Sequence, residues 1–325
     1  MRRARGRRAT TTAALLAVTV TAALAAGCGA GGGTPDDGRG SSSASERGAS
    51  PSANGPSALA VKLDNASAAR PHTGVDAADV VYVEQVEGGL SRLMAVYATR
   101  VPKTVGPVRS ARESDLELLR QFHRPTLVFS GAQRKLLPLI DEAPLRAVTP
   151  SDAPGAFYRG GDRAAPHNLF LRARDIAPEA PGRAALTTGF RYGSAPAGGT
   201  ETASRTVRYP AARFTFTWSG ARDRWLVGMD GAPATTSGGT RMAAATVVVQ
   251  YVRIRESGFR DFLGNNSPYT ETVGSGRATV LRDGRAWDVK WKRPKATDGT
   301  AFTTGDGSPV RFAEGQVWVV YARAS

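Results

Sequence analysis

Runs of apolar residues divide the chain into two parts with different patterns. Residues 58–183 alternate short β-branched runs, such as 59–63 and 125–129, with segments whose apolar side chains recur at helical spacing. Residues 184–325 carry a series of strand-like runs separated by Asp-Gly turn signals. The pattern therefore predicts an N-terminal α/β domain over residues 58–183 and a β-rich C-terminal domain over residues 184–325.

The apolar runs 79–87 and 90–99 flank Gly88-Gly89 and predict a β-hairpin. Two central glycines suit a two-residue turn that needs positive φ, and such a turn would pair Val83 with Met94. Both faces of this hairpin are largely apolar, so we place it in the middle of a mixed sheet that helices cover. The predicted fold of this part is a layered α/β domain with a central mixed sheet.

A cluster of arginines precedes a predicted helix. Ser110, followed three residues later by Glu113, fits a capping box, so the helix is predicted to begin at Ser110. Arg109 and Arg112 then lie at the positive end of the helix dipole, where a cation is disfavoured unless an anion is close.

Two sources for that anion remain open. The predicted hairpin places Glu87 diagonal to Arg92, within reach of an ion pair at the turn, and either Glu84 or Glu87 could pair with the two helix arginines. A phosphate or carboxylate of a ligand could also do so, and the segment Ser130-Gly131 after a predicted strand marks the sheet edge where ligands bind in α/β proteins.

Histidine is scarce, and its three residues, His72, His123 and His167, all lie in the N-terminal part. His167 is the natural acid or base of the predicted site, although a structural hydrogen-bonding role is an alternative. The spacing of the three histidines does not support a metal site. Sequence motifs for P-loop, Rossmann, zinc-protease and serine-hydrolase sites are absent, so no cofactor is predicted.

The N-terminus has the pattern of a lipoprotein signal. Five arginines within residues 1–8 precede an unbroken small and apolar stretch, residues 13–26, and Cys28 is the single cysteine. This pattern predicts a secretory signal peptide over residues 1–27 and lipid on Cys28. Gly, Ser, Ala and Pro then dominate a flexible linker that completes residues 28–57. The folded part is therefore expected at the extracytoplasmic face of the cell membrane.

The chain is basic, with 43 Lys and Arg against 28 Asp and Glu, and the excess is greatest in residues 184–325, with 19 basic and 11 acidic residues. Outside the cytoplasm, the polyanions within reach are lipid headgroups and wall polymers, so nucleic acid is not an expected partner. A merely soluble, arginine-rich surface is the alternative explanation.

Six short blocks resemble the signature segments of the YerB-like bacterial lipoproteins: 63–65 (LDN), 69–71 (ARP), 78–82 (ADVVY), 87–92 (EGGLSR), 106–112 (GPVRSAR) and 165–168 (APHN). That family pairs an N-terminal domain of unknown function 3048 with a smaller C-terminal domain. The resemblance implies an envelope lipoprotein with a shared polar site, and it carries no activity.

Three functional hypotheses follow. In the first, the N-terminal domain is a non-enzymatic binder of an anionic or polar envelope ligand such as a wall polymer, through Asp64, Asn65, Arg70, Glu87, Arg92, Arg109, Ser110, Arg112, His167 and Asn168. In the second, the same site belongs to a hydrolase or transferase acting on an envelope phosphate ester or glycan, with His167 or Glu87 as acid or base. In the third, the charged residues form a structural network and the protein acts through protein partners.

Overall fold

The computed structural model describes residues 55–261 and 263–324. The predicted signal peptide, Cys28 and nearly all of the linker lie outside this part. Within the described ranges, every helix is too short or too polar to cross a bilayer.

The first half of the described chain combines short strands with three short α-helices and several single 3-10 turns. The strands are β1 (Leu59–Asp64), β2 (Val80–Gln85), β3 (Ser91–Tyr97), β4 (Thr104–Val105), β5 (Thr126–Val128), β6 (Arg146–Val148), β7 (Phe157–Arg159) and β8 (Leu169–Arg172). The α-helices are α1 (Glu113–Leu119), α2 (Leu137–Glu142) and α3 (Ala173–Ile176). The 3-10 turns are Ser67–Ala69, Val75–Ala77, Glu87–Gly89, Arg134–Leu136, Pro154–Ala156 and Arg183–Ala185.

The second half consists of strands and loops. The strands are β9 (Arg191–Tyr192), β10 (Thr200–Glu201), β11 (Ser204–Tyr209), β12 (Ala212–Ser219), β13 (Arg224–Met229), β14 (Ala232–Pro233), β15 (Ala243–Ala244), β16 (Thr246–Val252), β17 (Ile254–Arg260), β18 (Asn266–Thr270), β19 (Gly274–Arg282), β20 (Arg285–Arg293), β21 (Ala301–Thr303), β22 (Arg311–Phe312) and β23 (Val317–Arg323).

An eleven-stranded mixed sheet forms the centre of the described structure. Its order is β10-β20-β19-β16-β23-β2-β3-β1-β5-β6, with β21 added beside β20. Strand β23 lies between β16 and β2 and is parallel to both, so Val317 pairs with Thr246 on one side and with Val80 on the other. The sheet is thus mixed, as predicted, and it continues from one predicted domain into the other. The boundary at residues 183 and 184 stays a prediction.

The β2–β3 hairpin is buried on both faces in the middle of this sheet, as expected, but its two faces have different covers. On one face, α1 contributes Leu118 and Leu119 to the core. On the other, a small sheet of β11 to β15 contributes Phe214, Phe216 and Trp225. The three helices span seven, six and four residues, which is too short to cover both faces of a sheet this wide. A second sheet therefore replaces helices as one of the two layers.

The register of this hairpin differs by one residue from the predicted one. Val83 pairs with Leu93 instead of Met94, because the connection is a three-residue 3-10 turn, Glu87–Gly89, closed by a hydrogen bond from Val86 N to Leu90 O. Both glycines have positive φ, as predicted. The β11–β12 turn packs directly on this loop: Ala211 N donates to Gly89 O at 2.9 Å, and a Cβ at Gly89 would meet Pro210 Cβ at 2.5 Å, so only glycine fits there.

The prediction that α1 begins at Ser110 is wrong, because the helix begins at Glu113. Its reciprocal cap comes from Asp115, whose carboxylate accepts a 2.7 Å hydrogen bond from Arg112 N. The residues before it run as extended chain instead. Arg109 N donates to Lys62 O at 2.8 Å, and Ala111 N donates to Gly131 O at 3.0 Å. The arginine segment is therefore held between β1 and the loop after β5.

The second half agrees with the predicted strands. The alternating and β-branched runs form β12, β16, β19, β20 and β23, and the two Asp-Gly turns at Asp230 and Asp283 have positive φ at both residues. Four tryptophans are buried in the core of the described structure: Trp225, Trp287, Trp291 and Trp318.

Candidate functional site

A cleft of about 440 Å³ opens at the sheet edge where β1 and β5 end. Seven of the predicted site residues line it: Asp64, Glu87, Arg92, Arg109, Ser110, Arg112 and His167. The connection between β17 and β18 closes its far side with Asp261, Leu263 and Asn265. Ser110 Oγ lies 3.4 Å from Ser130 Oγ, so the predicted strand-end turn is indeed next to the arginine segment.

Arg112 and Glu87 form a bidentate ion pair in this cleft. Arg112 Nε is 2.5 Å from Glu87 Oε1, and Nη2 is 2.8 Å from Oε2. Ser267 Oγ also donates to Glu87 Oε1. Burial favours the neutral acid, but the hydrogen bonds and charge of Arg112 outweigh it and lower the pKa of Glu87 to about 2. The predicted pairing of Glu87 with Arg92 is wrong, because the longer hairpin loop directs Glu87 to Arg112.

Asp64, the last residue of β1, joins a histidine and an arginine. His167 Nδ1 lies 2.7 Å from Asp64 Oδ2, and Arg109 Nε lies 3.3 Å from the same oxygen. Burial disfavours the carboxylate. The hydrogen bond from Ala66 N, followed by the Arg109 charge and the His167 contact, more than offsets that effect, so the pKa of Asp64 lies below its ordinary value. His167 is therefore oriented by an ionised carboxylate at the rim of the cleft.

Arg92 is the exception among the cleft arginines. Arg92 is only 8% exposed, and its one hydrogen bond among the described residues runs from Nη1 to Ser110 O at 2.9 Å. Of the described carboxylates, none lies within ion-pair distance of it. Burial, followed by the nearby Arg112 charge, lowers the pKa of Arg92 to about 9. The cleft therefore contains a buried cation that is in no ion pair with the described residues, although the charges of Glu87 and Asp64 still favour its protonated form.

A buried charge cluster supports the arginine segment from below. Lys62, which is fully buried, lies 2.7 Å from Glu84 Oε2 and 2.5 Å from Asp115 Oδ1. Asp115 accepts the backbone hydrogen bond of Arg112, and Lys62 accepts that of Arg109. Burial raises the pKa of Glu84. This cluster fixes the backbone from which both arginines project.

Three predicted site residues lie outside the cleft. Arg70 donates to Asn65 Oδ1 at 3.0 Å and pairs with Asp230 at 2.8 Å. Asn65 itself donates to Ser91 Oγ at 2.9 Å. Asn168 bridges Arg159 and the backbone of Gly160, closing the β7–β8 loop. These side chains hold loops in place around the site.

Sequence reasoning did not find the contribution of the second half. Ser267, Arg260 and Asp261 come from the β17–β18 hairpin, and no local pattern in that segment indicates a site. Lys62 could have been singled out from the sequence, because it is a charged residue inside the apolar run of β1.

Within residues 55–261 and 263–324, no group of three or more histidine, cysteine, aspartate or glutamate side chains is placed to hold a metal ion. His72 is buried, with Nε2 at 2.8 Å from Asp64 O, and burial lowers its pKa to about 4. His72 therefore contacts the backbone at the end of β1, whereas His167 contacts the Asp64 side chain.

The Glu87–Arg112 pair predicts a loss of stability in acid. The pKa of Glu87 is below its ordinary 4.5, so its contribution is present above pH 4.5 and is lost as the pH falls towards about 2. We expect this residue to account for about 3 kcal/mol of that loss. In urea titrations from pH 6 to 2, the stability difference between wild type and Glu87→Gln should shrink as the pH falls.

Glu179→Gln is the matched control for this experiment, because Glu179 is exposed and has no ion pair among the described residues. Its stability curve should run parallel to that of the wild type. A constant gap between wild type and Glu87→Gln over the whole pH range would contradict the expected linkage.

Two sequence matches define the class of this protein. Residues 45–186 match the family described as "Protein of unknown function (DUF3048) N-terminal domain", and residues 205–319 match its C-terminal domain. The chain belongs to this YerB-like DUF3048 family, which confirms the resemblance seen in the six blocks.

Two comparisons with YerB of Bacillus subtilis, one of sequence and one of structure, illustrate the family. The protein described as "Putative lipoprotein YerB" of strain 168 is 42% identical over 64 residues, a match that spans 20% of this chain and 19% of that protein. The crystal structure of YerB is similar with a TM-score of 0.69 at 19% identity, covering 84% of this chain and 92% of that one. The second comparison establishes a shared fold.

Proposed function

We propose that this protein is a lipoprotein, anchored through Cys28 at the extracytoplasmic face of the membrane, whose cleft binds an anionic envelope ligand. The signal-peptide pattern and the description of the B. subtilis relative as a lipoprotein support the anchoring. The location restricts the ligand to molecules of the cell envelope.

The unpaired, buried Arg92 carries the proposal of anion binding. A charged side chain removed from water is costly unless a counter-charge compensates it, and Asp64 and Glu87 are already engaged with other partners. A ligand phosphate or carboxylate beside Arg92 would supply the missing charge.

Arg109 offers a second free donor at the same place. Its Nε is buried and has no hydrogen-bond partner among the described residues, since the 3.3 Å approach to Asp64 lacks hydrogen-bond geometry. Arginine presents several N–H groups in a planar fork that suits phosphate and carboxylate oxygens. Arg92, Arg109 and the Ser110 hydroxyl therefore form the anion subsite that we propose.

We expect Arg92→Gln to weaken phosphate binding by about 10- to 100-fold, the equivalent of losing one charged hydrogen-bond donor. The measurement is the thermal shift of the full chain, purified in non-ionic detergent, against inorganic phosphate and glycerol phosphate. Ligand at about a hundred times its dissociation constant should stabilise the wild type by about 2.7 kcal/mol.

Arg222→Gln is the control variant, because Arg222 is an exposed arginine outside the cleft. It should keep the wild-type shift. If wild type and Arg92→Gln respond identically to every anion, the cleft arginines are structural and the proposal is wrong.

A hydrolase or transferase acting on a phosphate ester or glycan is the second candidate function, and the Asp64–His167 contact favours it. With Nδ1 donating to an ionised Asp64, Nε2 of His167 is left as the base that would activate water or an alcohol. The arginines would stabilise the negative charge that develops on the transferred group.

His167→Ala separates these two functions. In a binding protein, the arginines keep the anion and phosphate affinity changes little. In an enzyme, release of p-nitrophenol from a phosphodiester substrate should fall by at least 100-fold in the variant. Wild type without any turnover, together with intact phosphate binding, would exclude hydrolysis of this substrate class.

A further inference from the structure

A second cavity adjoins the cleft, and arginines outnumber acids in its lining. It measures about 430 Å³ and shares Glu87, Ser110, Arg112 and Asp261 with the first cavity. The Glu87–Arg112 pair therefore stands between two spaces of nearly equal size. Each cavity is lined by residues from both halves of the chain, since the β17–β18 hairpin contributes to both cavities.

Arginines line both cavities of this double cleft. Arg92 and Arg109 line the first cavity, and Arg134 and Arg260 line the second. Arg134 and Arg260 are exposed and make no ion pair with the described acids. Arg112, in the middle, is neutralised by Glu87.

Asp261 does not cancel this charge by pairing with an arginine of the cleft. Its Oδ1 accepts hydrogen bonds from Leu263 N at 2.9 Å and Asn265 N at 2.8 Å, and its Oδ2 accepts one from the Asn265 amide at 2.9 Å. These bonds shape the hairpin tip. Among the described residues, Arg92, Arg134 and Arg260 therefore face the cavities without a carboxylate within ion-pair distance, whereas Arg109 already has Asp64 at 3.3 Å.

The side chains that line the two cavities also restrict the class of ligand. Among the described residues, neither cavity has an aromatic side chain in its lining. Flat rings such as sugars and bases are commonly held by aromatic stacking, and that means of recognition is absent from these walls. The double cleft can therefore hold a ligand by charge and hydrogen bonds at two separate points.

We propose that the ligand is a linear chain of repeating phosphodiesters that occupies both cavities at once, with one phosphate at Arg92 and Arg109 and another at Arg134 and Arg260. This inference rests on the proposed anion-binding function and names its ligand class, a polyol-phosphate chain of the envelope. The linker between the two phosphates passes over the Glu87–Arg112 pair, where Ser110 is available to both sides.

Occupancy of two connected subsites has a measurable consequence. The second phosphate binds intramolecularly once the first is in place, so affinity rises with chain length without any change in the first subsite. The probes are glycerol 3-phosphate, which carries one phosphate, and a synthetic glycerol-phosphate hexamer, titrated calorimetrically into the full chain in non-ionic detergent at 0.15 M salt.

We expect the hexamer to bind the wild type at least 10-fold more tightly than the monomer. The double variant Arg134→Gln/Arg260→Gln should bind the monomer as the wild type does and should lose the additional affinity for the hexamer. Both substituted side chains are exposed, so the melting temperature should not change. Arg222→Gln should retain both affinities and controls for the general loss of positive charge.

The outcomes distinguish this inference from the proposed function. Equal affinity of wild type for monomer and hexamer overturns the two-subsite ligand and leaves anion binding intact. A double variant that loses affinity for both probes equally also overturns it, because the second cavity would not be a separate subsite. Failure of both probes to bind overturns this inference and the proposed binding of phosphate together.

Discussion

Replacing Lys62 with methionine should lower the free energy of unfolding by about 3–5 kcal/mol, because it leaves two buried carboxylates without their cation. Lys62 is fully buried and lies between Glu84 and Asp115 at 2.7 and 2.5 Å. Methionine fills a similar volume, so packing changes little and the loss reports the charge. Equilibrium unfolding in urea, followed by tryptophan fluorescence, gives the value.

Lys103→Met is the matched control. Lys103 is exposed and has no ion pair among the described residues, so its replacement should change stability by less than about 0.5 kcal/mol. A Lys62→Met variant within 1 kcal/mol of the wild type would mean that Glu84 and Asp115 do not depend on Lys62 for their stability in the core.

Arg293→Met should also cost about 3–5 kcal/mol, because one buried guanidinium serves five acceptors. Arg293 is 1% exposed. Two of its bonds reach the carbonyls of Glu117 and Leu118 in the last turn of α1, where carbonyls lack helical partners and the dipole favours a cation. The others reach Thr272, Ala296 and Asp298.

The conservative variant Arg293→Lys tests the geometry of this contact. A lysine keeps the charge at the helix end but cannot reach all five acceptors, so its stability should lie between those of wild type and Arg293→Met. If lysine restores full stability, charge alone accounts for the effect. If methionine does so, the five bonds do not stabilise the fold.

Local patterns predicted the strands well and the connections between them less well. The buried hairpin, both positive-φ glycines and the main strands of the second half follow from the order of apolar residues. The hairpin register does not, because two adjacent glycines fit a two-residue turn as well as the three-residue loop that forms. The start of α1 was also missed. Arg109 and Ala111, the neighbours of Ser110, donate instead to the carbonyls of Lys62 and Gly131, so this segment is extended.

The residues of the candidate site were likewise predicted only in part. Asp64, Arg92, Arg109 and His167 were found because the motifs that carry them are distinctive, and the structure brings them into one cleft. Arg260 and Asp261 were not, since they reach the cleft from a hairpin whose own sequence shows only strand propensity. Ion-pair partners were predicted only as alternatives: Glu87 pairs with Arg112, one of the two helix arginines proposed for it, and not with Arg92, because the register of the hairpin differs by one residue.

The position of β23 at the centre of the sheet affects how the protein must fold. This strand is the last of the sheet in chain order, and the segment that leads into it bonds to Val75, 241 residues earlier. As the chain is synthesised, β2 and β16 lack their shared neighbour until residues 317–323 emerge. Closing so distant a contact is slow. The central sheet can therefore be completed only when synthesis has almost reached the end of the sequence.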